Sequence, residues 1–536
     1  MKAFRSTAVI AIPLAVATWF VSGCSATKSD GPAAETPSGL EAFYSQPVDW
    51  VPCGVAETAG WFPGETLPGQ VCGQVVAPLD YQTARGHAVT DTETVQLAVT
   101  RRPAAGVKKG TLLAISGGPG LPGLAMVDMA FPESVLSHFD IVAYDPRGVG
   151  KSTPAISCPH LHAPAAAAAE NRVDVEERKN RELVASCVAG TGLDVLRHIG
   201  SDEATNDVDL LRGVLGEPRI NLWAASYGTQ IAAMYAIRFP HGYRAAVLDG
   251  VVDISERQND MLAAQKRGYQ ETFDRIVAYC TGAYEAVEHA RCPLGSDPGS
   301  AQSTFQQLLR DADASPVPAA TGKPVTASDI LSATAKGLLW QSRWVPYLRA
   351  LDAVRHGDGT AIRRMADNGH TVEDPDQSGT SVPQQPADAP ATKASTEPYA
   401  ITAITCADTA RPTSDRAVRQ QDAQALIEAA PFENYQPLPA EFPLDVCDLW
   451  PFPGVVQPAA PSRADDAAPL LFVATRHDPT TPIGNAERMA KYLDSPLVIR
   501  EGDGHTFVFA DQNRCIDTEV ARYLEDPNAV RDKVCQ

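Results

Sequence analysis

The sequence predicts an α/β protein: a mostly parallel sheet flanked by helices and interrupted once by a large helical insertion. Three observations carry this reading. Short apolar runs alternate with amphipathic helical stretches, the later runs are continuous in Val, Ile and Leu as in strands covered on both faces, and one run passes through a turn at Ser226 directly into a helix. Eight runs read as strands: residues 74–78, 94–100, 111–116, 139–144, 220–225, 245–249, 470–475 and 496–500. From about 255 to 463 this rhythm stops, and helical stretches such as 261–280 and 327–354 take over. Inserted between two sheet strands, that segment is expected to sit over the sheet's edge as a cap.

Ahead of the first strand, residues 1–23 have the form of an export signal. Lys2 and Arg5 precede an apolar run over 8–21 that is too short to span a bilayer. The run closes on Val21-Ser22-Gly23-Cys24, which resembles a bacterial lipobox, so the mature chain is expected to begin at Cys24 with that cysteine acylated as a membrane anchor. Residues 24–40, rich in Ser, Ala, Pro and Gly, read as a flexible tether. The fold proper is then expected over 41–254 and 464–536, with 255–463 as the cap. Inside the cap, residues 374–398 carry almost no large apolar side chain and read as a mobile loop. Asp374-Pro375-Asp376-Gln377-Ser378-Gly379 faintly echoes a calcium loop, but its twelfth position is Gln385 rather than a bidentate glutamate, and no metal or cofactor is expected.

The cysteines agree with export. Of 11, Cys24 is assigned to the anchor and ten remain, an even number suited to an oxidising compartment. They fall into neighbouring couples, each spanning a modest loop: Cys53 with Cys72, Cys158 with Cys187, Cys280 with Cys292, Cys406 with Cys447, and Cys515 with Cys535. None has the Cys-x-x-Cys spacing of a zinc ribbon or redox pair. With 45 basic and 65 acidic residues the formal charge is −20, which opposes nucleic acid or anionic lipid surfaces as the principal partner. At 536 residues and 44% hydrophobic, the chain can bury a large core.

The chemistry is legible where strand 220–225 meets Ser226-Tyr227-Gly228 and the helix that follows. A strand, a sharp turn at serine and a helix form a nucleophile elbow, which exposes the hydroxyl at the top of a sheet. The usual Gly-x-Ser-x-Gly here reads Ala224-Ala225-Ser226-Tyr227-Gly228, with alanine in the first place. A serine needs a base and an orienting acid, in the chain order Ser, Asp, His. Asp478 follows strand 470–475 and His505 follows strand 496–500, leaving room for one helix and one strand between them. Asp249 and Asp253 compete for the acid and His477 for the base. An oxyanion hole needs two backbone N–H groups; Tyr227 supplies one, and Gly118, with Gly117 as its neighbouring alternative, supplies the other from Ser116-Gly117-Gly118-Pro119-Gly120.

Taken together, Gly117-Gly118-Pro119-Gly120, Tyr144-Asp145-Pro146-Arg147-Gly148-Val149-Gly150, Ser226-Tyr227-Gly228-Thr229, Leu248-Asp249-Gly250-Val251-Val252-Asp253, His477-Asp478-Pro479 and Gly504-His505-Thr506 resemble one group. These are the exported actinobacterial tripeptidyl aminopeptidases, α/β-hydrolase serine peptidases related to prolyl aminopeptidases and similar to mycobacterial envelope-associated serine hydrolases. The likeness runs from about residue 48 to the C-terminus and is weakest through the cap. It implies an α/β-hydrolase fold and an exopeptidase that releases short N-terminal fragments, with Ser226 as nucleophile, His505 as base and Asp478 as orienting acid. The implied partner is a peptide or small protein with a free N-terminus, met at the outer face of the cytoplasmic membrane. Asp145 and Arg147 are expected to form a structural ion pair, and Asp253 and Glu256 are candidates for the substrate's ammonium. An esterase or lipase acting on envelope lipids or short acyl esters with the same triad stays open, as does a catalytically silent binding lipoprotein.

Overall fold

The computed structural model describes residues 34–55, 66–159, 172–367, 397–410, 416–438 and 441–536. The export signal, Cys24, most of the tether and nearly all of the 374–398 loop lie outside them. Ten strands form one sheet: β1 (Val51–Pro52), β2 (Val71–Pro78), β3 (Thr94–Arg102), β4 (Gly110–Ile115), β5 (Phe139–Tyr144), β6 (Ile220–Ala225), β7 (Tyr243–Asp249), β8 (Leu471–His477), β9 (Leu497–Asp503) and β10 (Lys533–Cys535). Their spatial order is β1-β2-β3-β5-β4-β6-β7-β8-β9-β10. Pairing is antiparallel from β1 to β5 and parallel through the rest.

Continuous apolar runs make strands here because both faces are covered, and alternate side chains go to opposite layers. Leu113, Ile115, Leu222, Ala224, Ala246 and Leu248 join one core, with residues of the helices Ser201–Val214, Gly228–Arg238 and Ile483–Tyr492. Leu112, Ala114, Trp223, Ala245 and Val247 join the other, against the helix Arg514–Glu525. Eight strands coincide with the runs read from sequence. β1 and β10, two and three residues long, are too short to show a period. They exist through pairing, and Cys515–Cys535 ties β10 to the neighbouring helix.

The insertion between β7 and β8 covers the carboxyl ends of the central strands instead of flanking an edge strand, because both of those strands lie in the middle of the sheet. Its segments 269–365 and 430–435 share a core of their own, in which Phe273 stacks on Phe432 and packs near Phe305. The helix Glu397–Asp408 instead buries Ala400, Ala403 and Ile404 with Ile156, Leu196, Ile199, Trp450 and Phe452, so this part of the insertion is packed into the 149–199 segment. That helix takes in the last two residues expected of the mobile loop. The helix expected over 327–354 is two, Ala327–Leu338 and Trp344–Arg355, because Trp340 is extended and bridges to Gly504. At the other end of the chain, the tether's last residues are fixed: Leu40 is buried in the core, and Ser38 O accepts from Arg85 Nη1. The five neighbouring cysteine couples all form bridges.

Candidate active site

At the end of β6 the backbone reverses sharply, and Ser226 takes φ +54°, the left-handed region that a non-glycine residue occupies at a cost. The turn is held from both sides: Ser226 N–H donates to Asp249 O at 2.8 Å, and Thr229 Oγ1 donates to Ser226 O at 2.6 Å. Ala224 stands in place of the usual glycine, its side chain fully buried in one of the two core layers. Gly117 lies against the serine, since a Cβ there would sit 2.9 Å from Ser226 Cβ. Among the described residues no acceptor takes the N–H of Gly118 or of Tyr227, which leaves two donors free beside the hydroxyl.

Asp478 follows β8 with its side chain fully buried. Oδ1 accepts from Thr480 N–H (2.8 Å) and Thr481 N–H (2.9 Å), and Oδ2 from Thr481 Oγ1 (3.0 Å). His505 Nδ1 lies 2.8 Å from Oδ2, and Thr481 Oγ1 is 3.2 Å from the same nitrogen. This fixes a tautomer with the proton on Nδ1 and leaves Nε2 as acceptor. Nε2 is buried and makes no hydrogen bond. Burial alone would lower the imidazole's pKa, but the charge and hydrogen bond of Asp478, with Asp249 adding, raise it above the ordinary value.

Asp249 links the two halves. It pairs with Ala225 across β6 and β7, and its carboxylate accepts the N–H groups of Phe507 and Val508, both at 2.8 Å, two and three positions beyond His505. The next residue, Gly250 (φ +70°), abuts the imidazole, where a Cβ would come within 2.8 Å of His505 Cε1. Burial pushes the Asp249 carboxyl up to about 7. Asp249 is thus a brace for the His505 loop and not its hydrogen-bonded acid. His477 Nδ1 faces Glu271 of the cap at 2.6 Å.

Two expectations change. Asp145 and Arg147 do not pair: Asp145 accepts N–H groups of Gly123, Leu124 and Lys151, while Arg147 makes a buried bidentate pair with Asp207 at 2.6 and 2.7 Å. Alternate residues of the turn simply face different neighbours. Asp253 is engaged too, its fully buried carboxylate 2.6 Å from Arg488 Nε. Glu256 gives Oε1 to Arg488 and keeps a buried Oε2 with no partner.

Ser226, Tyr227, Gly118, Pro119, Thr480 and Thr481 line a chamber of about 90 Å³. It shares Gln230, Gln258, Met261 and Asp408 with a larger cavity of about 320 Å³, whose walls carry Asp253, Glu256, Asp408 and Asp422 and, as the one cationic side chain among the described lining residues, Arg257, which pairs with Asp260. Sequence reasoning missed Asp408 and Thr481. Asp408 is buried and accepts from Ser201 N–H, Ser201 Oγ, Tyr227 Oη and Gln230 Nε2; burial pushes its pKa up to about 6. Nothing local marks it, because all four donors lie roughly 180 to 210 positions away, as the bonds to Gln230 (178) and Ser201 (207) show. Among the described residues one group, Asp80, His198 and Glu203, has the geometry to hold a cation, and it shares no residue with the chamber.

The family described as "TAP-like protein" matches residues 436–535, the stretch that carries Asp478 and His505. "Putative hydrolase YuaR" of Escherichia coli K12 is 35% identical over 91% of this chain and 93% of its own. "Serine protease Hip1" of Mycobacterium tuberculosis H37Rv is 32% identical over 90% of each chain. "Carboxylesterase B" of the same strain is 30% identical over 85% of this chain and 84% of its own.

Proposed function

Given that the chain belongs to the TAP-like family of α/β-hydrolase serine hydrolases, we propose that it is an exported, lipid-anchored exopeptidase releasing short fragments, most simply tripeptides, from free N-termini. In this reading Ser226 Oγ attacks the scissile carbonyl while His505 Nε2 takes its proton, and Asp478 holds the imidazole and balances its charge. The N–H groups of Gly118 and Tyr227 receive the developing oxyanion. His505 returns the proton to the leaving amine, and water then releases the acyl fragment by the same route.

The observation that carries the peptidase reading is the acid-walled cavity beyond the serine. Asp253 and Glu256 share Arg488 and Arg257 is paired with Asp260, yet with Asp408 and Asp422 the acids of this wall still outnumber those guanidiniums, which suits an ammonium group. A peptide whose scissile bond sits at Ser226 would reach that cavity with its N-terminus. Acetylating the amine removes the charge and adds bulk where the cavity ends. Blocked tripeptidyl amides should therefore lose about 3 kcal/mol or more in kcat/KM, upwards of about 100-fold. Steady-state kinetics on free and acetylated pairs, with Ser226→Ala as the blank, make the measurement; equal rates reject the exopeptidase.

The similarity to a protein named a carboxylesterase favours one second reading, an esterase using the same residues. Rapid hydrolysis of short acyl esters with no cleavage of any free peptide would promote it.

A further inference from the structure

We infer that Trp340 is a positioning residue for His505: the cap, and not the sheet, holds the main chain of the proposed base. The inference rests on the serine-hydrolase assignment of His505 but not on the choice between peptide and ester. Both main-chain groups of His505 are taken by the cap. Its N–H donates to Leu339 O at 2.9 Å, and its carbonyl accepts from Trp340 Nε1 at 2.7 Å. Trp340 also bridges antiparallel to Gly504, with φ −144° and ψ 139° in the gap between two helices.

That segment is itself braced. Arg343 stacks its guanidinium 4.1 Å over the Trp340 ring, its N–H donates to Trp340 O at 2.9 Å, and its Nη1 reaches back to Lys336 O at 3.2 Å. The core's own holds on the loop lie to either side of the His505 main chain, at Gly504 N–H through His477 O of β8 (3.3 Å), at the ring's Nδ1 through Asp478, and at residues 507 and 508 through Asp249. The imidazole is therefore pinned at one ring nitrogen and by its backbone, and Nε2, which bonds to nothing, takes its direction from those two anchors. Proton transfer is steep in geometry, since a displacement of about 1 Å costs roughly 100-fold. A cap that lets go of His505 O leaves that carbonyl only the hydroxyl of its own neighbour, Thr506 Oγ1 at 2.8 Å, which moves with the loop and cannot anchor it, so the ring is freed to turn.

Trp340→Phe removes the N–H and keeps an aromatic ring for Arg343. Trp340→His restores a donor, because imidazole Nε2 superposes on indole Nε1. The test measures kcat and KM on an activated p-nitrophenyl ester, per active site titrated with a fluorophosphonate, so that misfolded molecules are not counted. Trp340→Phe should lower kcat about 10- to 100-fold with KM within about twofold, and Trp340→His should recover most of it. The low-field proton resonance of His505 Nδ1–H should move in the Phe variant and return in the His variant. Complete loss of titratable sites in the Phe variant alone, with the His variant active, supports the same conclusion. Unchanged kcat per site in Trp340→Phe, or equal damage in both variants, overturns it. Failure of the wild-type protein to label at Ser226 would instead sink the nucleophile assignment, a separate result.

Discussion

Ser226 and His505 reach each other's neighbourhood through one residue that neither motif contains. Asp249 accepts the serine's N–H with its main chain and the two N–H groups following Thr506 with its side chain. Asp478 is the only carboxylate hydrogen-bonded to the imidazole among the described residues. The base works when Nε2 is unprotonated, and Asp478 raises its pKa, so activity should climb with pH through a limb above the ordinary imidazole value of 6.5. Asp478→Asn should move that limb to lower pH and reduce kcat by about 10⁴. Asp249 titrates nearby, at about 7. A limb that vanishes in Asp249→Asn but survives in Asp478→Asn would reverse the roles, and kcat/KM against pH for the three proteins decides it.

Between strands and helices, the strands were legible and their neighbours were not. The stretches 112–115, 141–144 and 222–225 inside these runs are apolar without a break because each is covered on both sides, and that signal is local. The pair Arg147–Asp207 is not local: its partners lie 60 positions apart and meet only when the turn after β5 packs on the helix Ser201–Val214. Arg147 also donates to the carbonyls of Pro78, Leu79 and His198, closing three segments around one guanidinium. Arg147→Met should cost about 3–5 kcal/mol, since Asp207 is left charged and buried. Chemical denaturation of the oxidised protein measures it; a loss below about 1 kcal/mol would mean the pair is ornamental. The helix break at Trp340 was hidden for the opposite reason. The helical period continues through it, and a long-range backbone bridge overrides the period.

Across the whole molecule, five disulfides close loops of 12 to 41 residues, including Cys406–Cys447 beside Asp408, and fit a chain that folds in an oxidising compartment. Among the described residues no helix is long and apolar enough to cross a membrane. In the proposed function attachment rests on Cys24, which lies outside the described residues. Cys24→Ala should shift activity from the detergent phase of a Triton X-114 partition to the aqueous phase, or leave an uncleaved precursor. Unchanged partitioning would remove the lipid anchor from the proposal.

The sequence by itself determined the fold class, the strand–serine–helix elbow, the acid and base candidates and the cysteine couples, because each is written in a local pattern of period, turn residues or short loop spacing. The tertiary structure alone decided which carboxylates are free and which are engaged, where Arg147 finds its charge, that Asp408 sits beside Tyr227, and that the cap grips the backbone of His505. Those contacts join positions up to 235 residues apart. A buried polar group settles on whichever partner the packed layers bring to it, and no local pattern records that choice.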